Sequence, residues 1–458
     1  MAAFALNLLW LLPVTMAGAA LMLNRKSLRV LTLMHALWQL FFWGILYREK
    51  GAGLQWLWFR LGGKAFFYGL GAHSANLALL LLTILVGHIA LLYGQGSVGR
   101  VRSFSALLFL VMGFAQGVFL ARDLLLFFVF YEAALVPAFL LIYGWGGERR
   151  REAAVKFALF TLGGSVFFLI GILLALQEMP TGLREDWSPE RLPSTAWLLM
   201  TIGLGVKLPL VPLHSWLGEA HVETDTSISM ILASILLKLG GYGLLYWVWR
   251  ALSGEEALLL RIWGGLSLLY AAAIATGEID LKRLIAFTSI GHMALVALGA
   301  GSQSLYGLQG AYHQLFTHGL ISAGLFAWVG TIEKAFGNRR IDELRGILKD
   351  RPFQAVLLFF GAMGVPGMAL FVSELMVVWG TAVGVGWWWA LIPALSLVLT
   401  AIYFLRAYRE LAAPTPLLLS PGSLAPFFRA VVWFFILLSV GVGLYPKVWL
   451  DLLADVGY

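Results

Sequence analysis

Four charged side chains lie inside long apolar stretches of this chain: Glu132, Lys207, Lys238 and Glu374. A charge near the centre of a bilayer costs at least about 2.5–3.5 kcal/mol on insertion scales, so each residue needs a reason to be there. Burial makes a lysine release its proton more readily and a glutamate hold its proton more firmly, and a neighbouring opposite charge does the reverse. Moving one partner would then switch a proton on or off. The four residues are therefore candidate proton-transfer sites.

An architectural interpretation of the same charges stays open. Paired charges can hold helices together, and a Glu132–Lys207 pair could serve that purpose alone. Neither Lys207 nor Lys238 has an obvious acid close by in its own apolar stretch, so any partner must come from another helix.

Histidines extend the candidate set, because histidine titrates near neutral pH and can relay protons. A lone histidine on an apolar helix is more often a hydrogen-bonded packing residue. We favour His292 and His318, whose stretches lie between two helix breaks described below, and we add His214 beside the first break. Hydroxyl groups that can hold ordered water lie within about one turn of the favoured pair: Thr288, Ser289, Thr317 and Ser322.

Metal, thiol and nucleotide chemistry find no support in the sequence. It contains no cysteine, which excludes disulfides and thiolate-ligated iron–sulfur clusters. His221 lies near Glu219, Glu223 and Asp225, but their spacing matches no standard metal motif, and we interpret the segment as a solvated turn. No phosphate-binding glycine loop or nucleotide fingerprint occurs. We expect neither a cofactor nor a metal in this chain.

Composition places most of the chain in a membrane. Of 458 residues, 60% are hydrophobic and 12% are charged, and the mean hydropathy is +0.85. A spanning helix needs about 20 apolar residues. The first apolar run is long enough to span, and we interpret it as a helix instead of a cleavable signal. The apolar runs predict an all-α integral membrane protein with about fourteen transmembrane helices, at residues 3–22, 28–46, 74–94, 103–121, 123–144, 154–176, 195–217, 228–249, 258–276, 284–301, 306–332, 353–383, 387–405 and 429–446.

The distribution of basic residues supports an even number of helices. With fourteen spans, the odd-numbered loops and the span ends next to them carry 20 Lys and Arg residues, and the loops and span ends on the opposite side carry 10. Short loops rich in Lys and Arg remain in the cytoplasm. We therefore predict a multi-pass protein of a prokaryotic inner membrane with both termini on the periplasmic side. Topology also explains the net charge of +8, so nucleic acid is not an expected partner.

Two predicted spans contain helix-breaking residues. Span seven contains Pro209 and Pro212, and span twelve contains Gly364, Pro366 and Gly367. Proline removes a backbone donor and clashes with the preceding turn, so both helices should break or kink there.

Broken helices at matching positions indicate internal repeats, with a functional site near the breaks. We predict one membrane domain over residues 1–458, containing inverted five-helix repeats at 103–250 and 257–408. The alternative is that the prolines merely kink two unrelated helices.

Several separated motifs occur in a fixed order along the chain. They are Phe130-Tyr131-Glu132, Val206-Lys207-Leu208-Pro209, Leu237-Lys238-Leu239-Gly240-Gly241, Asp280-Leu281-Lys282-Arg283, Gly291-His292-Met293, His318-Gly319-Leu320, Val365-Pro366-Gly367 and Ser373-Glu374. Together they resemble the subunit M (chain 4) family of antiporter-like membrane subunits of complex I, NADH:quinone oxidoreductase. The resemblance covers roughly residues 100–410.

This resemblance implies a proton channel along a hydrated axis at mid-membrane. It implies that Glu132 and Lys207 form the pair that couples to a neighbouring subunit. Lys238 would be the central lysine, Glu374 the exit-side acid, and the two favoured histidines part of the connecting axis. The implied partners are other membrane-arm subunits of complex I, including neighbouring antiporter-like subunits. The chain would belong to a translocating enzyme without performing redox chemistry itself.

Other functions stay open beside this one. A subunit of a multisubunit cation/proton antiporter or of a membrane-bound hydrogenase would share this ancestry, and a non-conducting scaffold would hold a membrane arm together. The sequences around Lys238 and Glu374 favour the complex I branch over the antiporter. The turn after span seven, with Gly218, Thr224 and Asp225, departs from the usual family pattern.

Overall fold

The structure, a computed structural model, describes residues 1–188, 192–252, 254–348, 352–414 and 426–453. In chain order its main elements are α1 (Ala2–Met22), α2 (Arg25–Arg48), β1 (Gly53–Leu61), β2 (Lys64–Gly71), α3 (Ser74–Ser97), α4 (Val101–Leu120), α5 (Leu124–Ala133), α6 (Leu135–Gly144), α7 (Arg150–Glu178), α8 (Ser194–Lys207), α9 (Ser215–Val222), α10 (Thr226–Ile231), α11 (Leu237–Gly243), α12 (Gly254–Gly277), α13 (Leu281–Gly301), α14 (Leu305–Phe336), α15 (Pro352–Ala362), α16 (Ala369–Val385), α17 (Trp387–Leu411), α18 (Pro426–Leu444) and α19 (Lys447–Leu453).

The predicted all-α membrane fold is confirmed, and the structure is consistent with about fourteen spans. Within the described ranges, 12 helical segments are long and apolar enough to cross a membrane. They correspond to every predicted span except the seventh and the twelfth. Those two spans are each divided into shorter helices, α8 with α9 and α15 with α16. The two remaining spans are the ones that the sequence predicts to be broken, and neither contains a single helix long enough to be counted.

Both predicted breaks are present. In span seven, α8 ends at Lys207 and α9 begins at Ser215. In span twelve, α15 ends at Ala362, and the chain then passes through Gly364 and Gly367, whose φ angles of 64° and 92° suit glycine but few other residues. The breaks leave Lys207 at one helix end and place the start of a new helix shortly before Glu374.

Span five contains a break that we did not predict. The helix ends at Ala133 and resumes at Leu135. Pro137 explains the interruption, because it has no N–H to donate to the carbonyl one turn earlier and its ring crowds that carbonyl. Glu132 therefore lies in the last turn of α5, next to an irregular point in the backbone.

The connection between spans two and three, where no strand is predicted from the sequence, forms an antiparallel hairpin of β1 and β2. Its turn is Gly62-Gly63, with φ angles of 57° and 79°. Both positive angles match the type I′ turn that joins two-residue hairpins.

The chain forms two compact units. Unit 1 comprises Met1–Leu208 and Ile235–Glu256, and unit 2 comprises Pro209–Ser234 and Ala257–Tyr458. In unit 1, α1 packs against α4 and α7 packs against α8. In unit 2, α14 packs against α13, α16 and α18. The five-helix repeats remain a prediction.

Candidate functional site

In unit 1 a buried lysine lies beside a carboxylate. Lys207, the last residue of α8, is 4% exposed. Its Nζ lies 4.0 Å from Glu132 Oε1 and donates a hydrogen bond of 2.8 Å to the carbonyl oxygen of Tyr131. The same Nζ lies 3.2 Å from the centre of the Tyr131 ring. A carboxylate, a carbonyl dipole and an aromatic face thus share one ammonium group.

Two contributors to this site, Tyr131 and Ser165, were not among the predicted site residues. The Tyr131 carbonyl oxygen that accepts from Lys207 lies in the last turn of α5, close to the interruption at Ala134. The Ser165 hydroxyl lies within hydrogen-bonding distance of both Glu132 Oε1 and the carbonyl oxygen of Thr161. Its single proton can serve only one of them well, so its orientation depends on whether Glu132 is charged. Pro137, five residues after Glu132, was the feature of the sequence that could have predicted an irregular backbone at this site.

A buried aspartate fixes the start of the helix that carries Glu132. Asp123 caps α5 by accepting hydrogen bonds from the backbone N–H groups of Leu125 and Leu126, at 2.9 and 3.1 Å. It also accepts a hydrogen bond from the N–H of Phe67 in β2, at 3.1 Å. Burial raises the pKa of Asp123, while these three N–H groups oppose that rise. The hairpin and α5 are therefore joined through one carboxylate.

Lys238 also belongs to unit 1 and is 0% exposed. It lies in α11, between two π-helical segments at Leu232–Leu236 and Leu244–Val248. Such segments widen a helix locally and are frequent at functional sites. Gly240 lets α11 approach α8 closely, since a Cβ there would lie 2.7 Å from both the Leu204 carbonyl oxygen and the Leu208 nitrogen.

This close approach gives a stability prediction. Gly240→Ala should push α11 away from the end of α8 and cost about 1–3 kcal/mol, the usual range for overpacking. The measurement is the thermal unfolding midpoint of the purified protein in detergent. Gly441→Ala is the matched control, because a Cβ at that helical position meets nothing within 4 Å. Equal midpoints for the two variants would contradict the expected clash.

Unit 2 brings together a second group of predicted residues: His292, His318 and Glu374. They are 2%, 1% and 2% exposed. His292 Nε2 lies 3.6 Å from Glu374 Oε1, and the two histidine rings are 5.2 Å apart at 68°. Within the described part of the chain, Glu374 Oε2 has no hydrogen-bond partner. A buried carboxylate oxygen of this kind is a natural proton acceptor.

Three mutually packed helices position this group. His292 lies on α13, His318 on α14 and Glu374 on α16, and each of these helices packs against the other two. In the most apolar stretches of α13 and α14, 100% of the residues are buried. In that of α1 only 33% are buried, as expected for a helix that faces lipid. The histidines therefore lie on two of the most enclosed helices of the chain.

His214, the remaining predicted site residue, lies at the N-terminal end of α9 in unit 2. It is 7% exposed, and its ring lies 4.9 Å from that of Tyr270 at 66°. It lies on a different element from the three residues that carry the His292, His318 and Glu374 group.

The interpretation of the segment around His221 as a solvated turn is wrong for two of its residues. His221 is 0% exposed and Glu223 is 8% exposed. The His221 ring stacks on Phe326 of α14 with 4.6 Å between ring centres. Asp225 caps α10 through the N–H of Ser227. The polar pattern resembled a surface turn, but the segment packs against α14 instead.

Comparison with known proteins identifies the family. The family described as NADH:quinone oxidoreductase/Mrp antiporter, transmembrane, matches residues 121–401. Chain 4 of NAD(P)H-quinone oxidoreductase from Synechococcus sp. is 37% identical over 407 residues, which are 83% of this chain and 77% of that protein. The chloroplast chain 4 of Cryptomeria japonica is 35% identical, over 83% of this chain and 81% of that protein.

Solved structures agree with this assignment. A chain of respiratory complex I from Thermus thermophilus with bound NADH has a TM-score of 0.86 and 28% identity, covering 99% of this chain and 98% of that chain. A chain of the Mrp complex from Dietzia sp. has a TM-score of 0.85 at 18% identity, covering 98% and 95%, and shares the fold alone. The chain therefore belongs to the NADH:quinone oxidoreductase/Mrp antiporter family and is an antiporter-like subunit of the complex I chain 4 type.

Proposed function

We propose that this chain translocates protons as an antiporter-like subunit in the membrane arm of a respiratory NADH:quinone oxidoreductase. The observation that carries the proposal is the geometry of Lys207, whose ammonium group is shared between Glu132 and the neutral groups of Tyr131. A lysine whose only contact were a charged partner would lose its position whenever that partner lost its charge. Neutral partners keep the amine in place when Glu132 is protonated or withdraws.

The separation of Lys207 and Glu132 fits a switch. At 4.0 Å the two groups are farther apart than a hydrogen-bonded pair. Two unit charges at that distance attract each other by about 4 kcal/mol at an effective dielectric of 20. A small shift of α5 at its break at Ala134 would then suffice to load or release the Lys207 proton.

The other predicted residues have matching roles. Lys238, buried and flanked by π-helical segments, is the central proton carrier of unit 1. In unit 2, His292 and His318 pass protons toward Glu374, the exit-side acid. His214 serves as a further relay group on α9. Each of these side chains takes up a proton at a nitrogen or carboxylate oxygen and gives it up again, with no redox step in this chain.

The chain depends on partners for its energy. Its sequence lacks cysteine and familiar cofactor-binding motifs, so we assign electron transfer to other subunits of the complex and expect no cofactor or metal here. The partners are other membrane-arm subunits, including neighbouring antiporter-like subunits. Relatives named as chain 4 of NAD(P)H-quinone oxidoreductases support this assembly. We place the chain in a prokaryotic inner membrane with both termini outside.

Lys238→Ala tests the proposal against its rivals. We expect the assembled complex, reconstituted in vesicles, to lose proton pumping by about a hundredfold or more, the scale of a lost proton-transfer group. Lys238→Arg should fail as well, since a guanidinium does not release its proton. Lys26→Ala, at an exposed lysine, is the control.

The rival functions give different results in the same assay. A scaffold would keep normal pumping in the assembled Lys238→Ala complex. A cation/proton antiporter subunit would show proton movement that depends on sodium and continues without NADH and quinone. Either result would exclude the proposed function.

A further inference from the structure

Unit 2 contains a second buried lysine that pairs with a carboxylate. Lys282, near the start of α13, is 2% exposed. Its Nζ lies 2.8 Å from Glu333 Oε2, near the end of α14, and donates a hydrogen bond of 3.0 Å to the carbonyl oxygen of Thr224. Three elements of unit 2 therefore meet at one ammonium group: the turn before α10, α13 and α14.

The charges around this pair balance. Glu333 Oε1 accepts a hydrogen bond from Arg339 Nη1 at 2.8 Å, and Arg339 Nε donates to Asp280 Oδ2 at 2.7 Å. Two acids thus face two bases. A proton bound by Glu333 would leave the Lys282 ammonium group without the charge of its partner at 2.8 Å, whereas Arg339 would keep its contact with Asp280. Of the two bases that contact Glu333, only the lysine can give up a proton, because arginine stays charged.

The Lys282–Glu333 pair is built like the Lys207–Glu132 pair. In each pair the lysine side chain is almost fully buried, at 2% and 5% exposed, and the glutamate is partly accessible, at 32% and 23%. Each unit therefore contains a pair in which the glutamate is partly exposed at the surface of the chain and the lysine is buried beneath it. At the Lys282–Glu333 pair, near the ends of two helices, this arrangement leaves the carboxylate accessible while the lysine is enclosed.

One face of α14 leads from Glu333 to His318. Glu333, Phe326, Ser322 and His318 are spaced by seven, four and four residues, so they lie along one side of the helix. The distance along the helix from Glu333 to His318 is about 22 Å, at about 1.5 Å per residue.

Polar groups of the segment before and within span eight line this face of α14. The His221 ring stacks on Phe326. Ser234 Oγ lies 3.2 Å from Ser322 Oγ and donates to the Gly319 carbonyl oxygen at 2.7 Å. Hydroxyl groups and a ring thus border the helix between the ion pair and the buried histidine.

More hydroxyl groups lie next to the ion pair. Thr224 Oγ1 lies 3.1 Å from Ser229 Oγ, and Ser229 Oγ donates to the His221 carbonyl oxygen at 3.2 Å. The carbonyl group of the same Thr224 accepts from Lys282. Lys282 therefore contacts the backbone of the residue whose side-chain hydroxyl lies beside Ser229.

We infer that the Lys282–Glu333 pair is the proton-uptake site of unit 2 and feeds His318 along this face of α14. This inference rests on the proposed function. The loops next to Glu333 and Lys282 are odd-numbered, so the charge bias places uptake on the cytoplasmic side. Water gives a proton to Glu333, and Lys282 gives its own proton inward toward the Thr224 and Ser229 hydroxyl groups. The Glu333 carboxyl group then reprotonates the Lys282 amine, and the pair is restored with one proton moved.

The test uses Glu333→Gln and Glu333→Asp in the whole complex, reconstituted in vesicles and driven by NADH and quinone. We expect Glu333→Gln to lower the proton-pumping rate about tenfold or more, and Glu333→Asp, which keeps a titratable carboxyl group, to retain most of it. Glu343→Gln is the matched control, because it removes one carboxylate from an exposed ion pair with Arg340 at 3.0 Å. Equal rates for Gln and Asp at position 333, or for Glu333→Gln and the control, would overturn the inference.

Two further variants keep the test decisive if Glu333→Gln fails to assemble. Ser234→Ala combined with Ser322→Ala leaves the ion pair intact and should still slow pumping. An unchanged rate in that double variant would also overturn the inference. A complex with the pair exchanged, Lys282→Glu with Glu333→Lys, should assemble but pump poorly. Normal pumping would show that the pair has only a structural role, and would overturn the inference.

The result separates this inference from the proposed function. If Lys238→Ala abolishes pumping and all the Glu333 and serine variants pump normally, the uptake site is wrong and the proposed function stands. If Lys238→Ala pumps normally, the proposed function itself fails.

Discussion

Glu132→Ala is expected to destabilise the protein more than loss of its partner Lys207 does. The reason is that Lys207 is 4% exposed and would lose the carboxylate beside it, so it must either carry a buried charge without that counterion or give up its proton, whereas the Glu132 side chain is 23% exposed and less enclosed. Breaking a buried pair from one side costs about 3–5 kcal/mol. Because the Tyr131 carbonyl and ring still contact the Lys207 amine, we expect the low end of that range, about 3 kcal/mol, for Glu132→Ala. For Lys207→Met we expect about 1 kcal/mol.

The double variant, Glu132→Ala with Lys207→Met, separates stability from transport. It should recover most of the stability lost by Glu132→Ala, since no uncompensated charge remains. Proton pumping should stay lost in all three variants. The measurements are chemical unfolding in detergent and proton pumping by the reconstituted complex.

Glu148→Ala removes an exposed acid from the loop after the same span and should leave both readouts unchanged. If the double variant is as unstable as Glu132→Ala, the charge of Lys207 is not the source of the instability. If it pumps protons normally, the pair is architectural.

Much of the fold followed from the sequence because membrane burial imposes strong rules. Apolar runs fix where spans lie, and Pro209, Pro212 and Pro366 mark the two broken ones. Pro137 is a breaker of the same kind that we did not use, so the interruption at Ala134 was missed. The hairpin was missed although its turn carries a Gly-Gly pair, because a short β-pattern is weak beside long apolar helices.

The site was harder to predict than the fold, and charge position explains why. Glu132, Lys207, Lys238 and Glu374 stand out because they interrupt apolar sequence. Lys282 and Glu333 lie at helix ends, where charges normally mark topology, and only the packing of α13 and α14 shows that Lys282 is buried. The role of the Tyr131 carbonyl cannot be predicted from residue types, because every residue has a backbone carbonyl.

Gly364→Ala is expected to stop proton pumping by displacing Glu374. Gly364 lies in the break of span twelve with a φ of 64°, where a side chain costs roughly 1–2 kcal/mol. A Cβ at this position would collide with Glu374 Oε2 and would lie 3.1 Å from Leu397 Cδ2. The carboxylate would have to leave its place 3.6 Å from His292 Nε2. Because a misplacement of about 1 Å can cost a hundredfold in rate, we expect at least about a tenfold loss of pumping.

Gly367→Ala provides the matched control for this experiment. Its φ of 92° makes a side chain at least as unfavourable, and it lies in the same break, but its nearest contact would be Leu444 Cδ2 at an ordinary 3.6 Å. It therefore reproduces the backbone strain without touching Glu374. If only Gly364→Ala loses pumping while both variants assemble, the position of the Glu374 carboxylate controls transport. If both lose it equally, the shape of the broken helix matters and the carboxylate position does not, which would remove the main reason to treat Glu374 as a proton-carrying group.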